Sequence, residues 1–93
     1  MSSATETPYF SSSKSIGTDL FRYPNLRIHR EQRGLSQAKL AAQAEVGKDL
    51  ISSAERNNPH RRLKLLAVIH ALNQHERTQS YGVIDPEREL ITA

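Results

Sequence analysis

Ten Lys and Arg residues stand between positions 22 and 64 of this 93-residue chain, against four Asp and Glu in the same stretch. The flanking segments, 1–21 and 65–93, each carry more acidic than basic side chains. Such a distribution favours contact with a polyanion such as nucleic acid, with a merely solvated cationic face as the alternative. The chain has no Cys, and its four His residues do not fall at metal-ligand spacing. We therefore expect no bound metal, no cofactor, no small-molecule substrate and no enzymatic activity, since no nucleophile, base and orienting residue can be combined.

The spacing of apolar residues predicts the helices that must position these charges. From Pro24 onward apolar residues recur at helical intervals, with breaks at Gly34, at 45–47 and at 57–59. Ser36 is expected to cap the second helix, because its hydroxyl can accept from N–H groups of the first turn. The sequence predicts an all-α domain whose four main helices span 24–33, 37–43, 48–56 and 60–72.

The two ends of the chain differ in composition from the middle. Residues 1–21 are rich in Ser and poor in apolar side chains, so we expect a disordered arm there. Residues 22–74 form the predicted domain, and 75–93 form a C-terminal tail. In the tail, 81–84 could be a short strand and 85–90 a short helix. That strand has no evident partner in the chain, so we expect it to stay unformed or to pair with a partner, and the tail offers a possible contact for a second copy or another protein.

The predicted second and third helices are joined by about three residues, which forces them to cross steeply. A close crossing needs a small side chain, and Ala41 stands at the required place. The turn and the inner face of the following helix need apolar residues, and Val46, Ile51 and Ala54 supply them. This pattern predicts a helix-turn-helix.

The run GLSQAKLAAQAEVGKDLISSAERNNP, from Gly34 to Pro59, resembles the Cro/C1-type (XRE-like) helix-turn-helix family. The resemblance covers about 26–72 and implies a lambda-repressor-like fold of four to five helices. Two positions depart from the family pattern: Glu45 replaces the turn Gly, and Gly47 replaces the Ser/Thr cap of the recognition helix. A positive φ at Glu45 would cost on the order of 1–2 kcal/mol. The matching positions are Arg30, Gly34, Leu35, Ser36, Gln37, Leu40, Ala41, Ala44, Val46, Ile51, Ser52, Glu55 and Arg56.

In such a unit the second helix lies in the major groove, with its outward side chains facing base edges. With Ile51 and Ala54 inward, the candidate base-reading residues are Lys48, Asp49, Ser52 and Ser53. Flanking donors and helix N-termini are expected to hold the phosphate backbone. The candidates for those contacts are Gln37, Lys39, Gln43, Arg56, Asn58, Arg61 and Arg62. The resemblance also implies that Arg30 pairs with Glu55 inside the domain.

Together these features predict a sequence-specific, DNA-binding transcriptional regulator. One helix reads too few base pairs for regulation, so we expect a homodimer on an inverted-repeat operator in double-stranded DNA. The resemblance is nearest to HipB-like antitoxins, which implies an autoregulating repressor with a cognate toxin as partner. Alternatives are a phage repressor, a restriction-modification controller, or a protein-interaction module with weak DNA binding. No stretch resembles a membrane span or secretory signal, so we expect a cytoplasmic, nucleoid-associated protein of bacterial or phage origin.

Overall fold

A computed structural model describes residues 19–93, and most of the predicted N-terminal arm, 1–18, lies outside the described residues. The described part is mostly helical, with one small antiparallel sheet in the strand order β2-β1-β3. Its elements are β1 (Leu20–Arg22), α1 (Leu26–Gln32), α2 (Gln37–Ala44), α3 (Lys48–Glu55), β2 (His60–Arg61), α4 (Arg62–Asn73), α5 (Thr78–Tyr81), α6 (Pro86–Glu89) and β3 (Ile91–Thr92). No helix within 19–93 is long and apolar enough to cross a membrane.

The four predicted central helices are confirmed, with ends that differ by at most two residues. Ser36 caps α2 as predicted, its hydroxyl accepting a hydrogen bond from the Lys39 backbone N–H at 3.0 Å. The predicted three-residue turn between α2 and α3 is also confirmed. Helix α4 begins two residues later than predicted, because His60 and Arg61 form a strand instead of a first helical turn.

The sheet corrects the all-α prediction. Leu20 and Phe21 were assigned to the disordered arm, yet they form β1 and pair with β2. The strand predicted at 81–84 does not form, since Tyr81 ends α5 and Gly82 follows at φ 96°. The C-terminal strand is β3, and its partner is β1. The strand at 81–84 thus stays unformed, which was one of its two expected outcomes, and the strand that does form was missed by the sequence prediction.

Helices α1, α2 and α3 end in the same way. At each end one residue adopts a positive φ: Gly34 at 67°, Glu45 at 59° and Asn57 at 68°. The backbone N–H of the following residue then bonds back across the last turn; at the end of α2, for example, Val46 N–H donates to the Ala41 carbonyl at 3.0 Å. This is the Schellman arrangement, which satisfies carbonyls that a helix end leaves free.

The core forms where α2 packs against both α3 and α4. It includes Leu40, Ala41 and Ala44 of α2, Ile51 and Ala54 of α3, and Leu65, Val68, Ile69 and Leu72 of α4. Val46 packs against it while half-buried, whereas Leu63 of α4 is 75% exposed. Ile84 and Leu90 are also buried in this core. The segment 75–93 is thus part of the folded unit, which corrects its prediction as a separate tail.

A buried arginine joins that C-terminal segment to α1. Arg33 is 1% exposed, and its Nε donates to the Leu72 carbonyl at 3.0 Å and to Thr78 Oγ1 at 3.1 Å. Its Nη1 and Nη2 donate to the carbonyls of His29 and Gly82, both at 3.2 Å. Burial lowers the pKa of Arg33. The guanidinium therefore ties four separate points of the fold together.

Tyr23 and His29 form a second polar contact beside Arg33. The Tyr23 hydroxyl hydrogen-bonds His29 Nδ1 at 2.6 Å, and Tyr23 is fully buried. Burial raises the pKa of Tyr23, with the carboxylate of Glu89 acting in the same direction. Burial also lowers the pKa of His29, although Glu89 opposes that shift. Both side chains are therefore neutral near pH 7.

Candidate nucleic-acid interface

Helix α3 divides into an inner and an outer face. Ile51 and Ala54 are buried on the inner face, which fixes the rotation of the helix. Lys48 and Asp49 are exposed on the first turn, as predicted. The N-cap is Gly47, which offers no side-chain oxygen, so the first-turn backbone N–H groups of α3 have no side-chain cap within residues 19–93. A first turn of this kind can meet an anion directly.

Ser52 and Ser53 lie on the second turn of the outer half of α3, both partly exposed. Arg56 Nη1 donates to the Ser52 hydroxyl at 2.8 Å, and Asn58 Nδ2 donates to the Ser53 hydroxyl at 3.1 Å. Two predicted base-reading residues are therefore each bonded to a predicted backbone-contact residue. Arg56 and Asn58 themselves are exposed.

A buried ion pair sets the position of α3 relative to the preceding helices. Arg30 Nε and Nη2 donate to the two oxygens of Glu55 at 2.5 and 3.2 Å, which confirms the pairing expected from the resemblance. Arg30 Nη1 also donates to the Leu35 carbonyl at 2.7 Å. The side chains of Arg30 and Glu55 are only 12% and 6% exposed. Breaking such a pair would leave a buried charge without a partner.

Gln37 belongs to this network. Its Nε2 donates to Glu55 Oε1 at 3.0 Å, so the amide predicted to reach a phosphate is engaged by α3. Burial by itself would raise the pKa of Glu55, but hydrogen bonds from Arg30 and Gln37 outweigh burial and hold the pKa below its ordinary value. The carboxylate is therefore ionised at neutral pH and joins α1, α2 and α3.

The predicted backbone-contact cations fall into two groups. Lys39, Arg56 and Arg61 are exposed, and none of them forms an ion pair with a carboxylate within residues 19–93. Arg62 instead pairs with Glu87 of α6, and its guanidinium carbon lies 5.8 Å from the centre of the Phe21 ring. The charge of Arg62 is therefore neutralised within the domain, while the charges of Lys39, Arg56 and Arg61 can interact with an anion from outside.

Gln43 follows Lys39 by one turn of α2. It is exposed on α2 and lines a shallow pocket of about 700 Å³ together with Glu45, His70 and His75. No cluster of three or more acidic or His residues in the described part of the chain could hold a metal ion.

Arg22 is a cation that the sequence prediction missed. It ends β1, and its Nη1 donates to the backbone carbonyl of Asn57 at 3.2 Å, just past the C-terminal end of α3. In β1 the residues Leu20 and Arg22 share one sheet face, and the strand register places Arg61 on that same face. Its charge alone was enough to make Arg22 a candidate for a DNA backbone contact, but its neighbours became visible only from the strand pairing.

Comparison with known proteins adds no relative, since no family model, no curated protein and no solved structure matches this chain.

Proposed function

We propose that the chain is a sequence-specific, double-stranded DNA-binding regulator of transcription, in which α2 and α3 form the helix-turn-helix of a lambda-repressor-like domain. The observation that carries the proposal is the outer face of α3. Its inward residues are buried and its first turn presents Lys48 and Asp49 to solvent. A helix joined to its predecessor by a three-residue turn can place such a first turn against base edges in the major groove.

The distribution of ion pairs supports the same proposal. Of the cations near this surface, Arg30 forms an ion pair with Glu55, and Arg62 forms one with Glu87. Lys39, Lys48 and Arg56 have no carboxylate partner within 19–93. Charges left unpaired around one exposed helix suit a polyanion, because neutralising phosphates releases counterions and drives binding.

The proposal includes a homodimer on an inverted repeat. One recognition helix contacts only a few base pairs, whereas regulation needs a preference of roughly 10³–10⁷ over non-specific DNA. Two copies double the number of bases read. By resemblance to HipB-like antitoxins, we extend the proposal to repression of the protein's own operon and to a toxin protein as second partner. Co-purification with the product of the neighbouring gene tests that last part.

The test measures binding of the full chain to DNA from upstream of its own gene and to a scrambled duplex of equal length, between 50 and 200 mM salt. We expect tighter binding to the upstream DNA and a log–log salt slope of about −0.9 for each phosphate contact. A double substitution, Lys39→Gln with Arg61→Gln, should flatten that slope by about two contacts' worth. Arg88→Gln is the matched control, because Arg88 is exposed on α6 between two glutamates.

Equal affinity for both duplexes would remove the sequence-specific part of the proposal. Binding that does not change with salt, or no binding at all, would favour a protein-interaction module instead. An Arg88→Gln effect as large as that of the double variant would show that net charge alone, and not this surface, governs binding.

A further inference from the structure

We infer that Ser52 and Ser53 act on DNA as hydrogen-bond donors, and that the outer face of α3 consequently selects guanine in each half-site. The inference rests on the proposed DNA binding and goes beyond it by naming the base. It also assigns Arg56 and Asn58 a positioning role, since each acts on a base through a serine.

The geometry of the two serines is the starting point. A hydroxyl has one proton to donate and two lone pairs to accept with, so an unconstrained Ser reads donor and acceptor bases alike. Here the guanidinium of Arg56 fills an acceptor site on Ser52 at 2.8 Å, and the amide of Asn58 fills one on Ser53 at 3.1 Å. Neither hydroxyl donates a hydrogen bond within residues 19–93. Each hydroxyl therefore keeps its proton free to donate to a base, with one lone pair still open.

The bond to Ser52 also strengthens its donor character. A hydroxyl that accepts from a charged donor is polarised, and its own O–H then becomes a better donor. Ser52 lies on α3 and Arg56, four residues later, is the C-cap of the same helix, so the backbone of the last turn fixes their spacing.

The remaining groups on this face agree with that polarity. Lys48 has an ammonium, which can only donate, and Asp49 has the one carboxylate on the outward first turn of α3. Guanine presents two neighbouring acceptors, N7 and O6, in the major groove, whereas adenine presents an acceptor beside a donor. The amino group of the paired cytosine can donate a hydrogen bond to a carboxylate such as that of Asp49. G·C pairs therefore match the polarity of this face, since each guanine offers two acceptors for the donors Lys48, Ser52 and Ser53, and each cytosine offers an amino group to Asp49.

The experiment selects duplexes from a random pool with the full chain and then measures affinity for the selected site. We expect a guanine that is required at one or two positions of each half-site. Replacing that guanine by 7-deazaguanine removes the N7 acceptor alone and should weaken binding by roughly 5- to 150-fold. Ser52→Ala should abolish the preference for guanine at one position, and Ser52→Thr, which keeps the hydroxyl, should restore it.

Asn58→Asp tests the polarity of the hydroxyl itself. A carboxylate at this position cannot donate, so the Ser53 proton would turn toward it and the serine oxygen would face the base as an acceptor. The preference at the position read by Ser53 should then move from guanine toward adenine or cytosine, which carry amino groups. Ser53→Ala is the control, and should leave that position without preference. Relative preferences are compared within each variant, so the added negative charge cancels.

Three results would overturn the inference. One is a selected site that lacks guanine; another is a guanine preference that survives both Ser52→Ala and Ser53→Ala. The third is an Asn58→Asp variant that loses affinity for all bases equally, which would make Asn58 a backbone contact only. If no duplex is enriched and binding is insensitive to salt, the proposed function fails and the inference fails with it.

Discussion

The end of α2 stores a conformational strain that a single substitution should relieve. Glu45 stands at φ 59° and ψ 42°, a left-handed conformation that costs a residue with a Cβ roughly 1–2 kcal/mol. Gly adopts this conformation without that cost. Its greater backbone entropy in the unfolded chain reduces the gain in stability by roughly 0.5–1 kcal/mol. A negative charge at the C-terminal end of a helix adds about 0.3 kcal/mol of unfavourable energy. Together these figures predict that Glu45→Gly stabilises the fold by about 1 kcal/mol.

Thermal and urea unfolding of the full chain measure this gain. For a domain of this size a change of about 1 kcal/mol raises Tm by roughly 4–8 °C. The urea midpoint should rise while the slope of free energy against urea stays the same. Glu45→Gln is the matched control, because it removes the charge and keeps the Cβ, and it should raise Tm by only about 2 °C.

The other two helix ends extend the test. Asn57 has the same conformation at φ 68°, but Asn tolerates it better than Glu, so Asn57→Gly should change stability little. Gly34→Ala should destabilise, because φ there is 67° and the new Cβ would lie 3.0 Å from Arg77 Nη1. If Glu45→Gly proves no more stable than Glu45→Gln, the left-handed conformation of Glu45 does not lower the stability of the fold, which contradicts the prediction.

Four further outcomes are expected. Arg33→Leu should lower the free energy of unfolding by roughly 3 kcal/mol, because buried acceptors lose their donor; a loss below about 1 kcal/mol in urea would contradict this. Burial lowers the pKa values of His29 and His60 from 6.5, so the unfolded chain binds more protons below that pH; Tm should fall between pH 7 and 5, and a constant Tm would count against it. Deleting 83–93 removes two buried core side chains and β3, and should sharply lower Tm; an unchanged melt would mean that this segment does not pack. Lys48→Ala should weaken specific DNA binding by roughly 1–3 kcal/mol and relax one base position, whereas equal losses on scrambled DNA would make it a phosphate contact.

The parts of the fold that sequence reasoning predicted are those set by local signals. The bounds of α2 and α3 follow from a Ser cap, a three-residue break and apolar spacing, all within about twenty residues. The strain at Glu45 was likewise predictable, because the resemblance marks that position as a turn glycine. The sheet was not predictable in this way, since β1 pairs with residues about forty and seventy positions away. Strands of two or three residues carry too short a pattern to be recognised.

The candidate site shows the same division. Which residues of α3 face outward followed from the positions of Ile51 and Ala54, and the exposure of Lys48 and Asp49 agrees. What each side chain bonds to did not follow, because a hydroxyl is compatible with many partners. The pairing of Ser52 with Arg56 is a matter of rotamers, and no pattern of residue types specifies it.

The separation between paired and unpaired cations links the stability of this domain to its proposed function. Arg33 is buried, the Arg30 side chain is only 12% exposed, and both are hydrogen-bonded, so removing either would leave polar groups in the interior without partners. Lys39 and Lys48 are exposed and, within residues 19–93, bound to no carboxylate. Substituting Arg33 should therefore lower stability and affect DNA only through unfolding, and substituting Arg30 should lower stability and also displace α3. Substitutions in the second pair should change DNA affinity with Tm nearly constant. Measuring Tm and salt-dependent DNA binding on the same four variants tests this separation. A Lys39 or Lys48 variant that lowers Tm as well as DNA affinity would show that the residue also stabilises the fold.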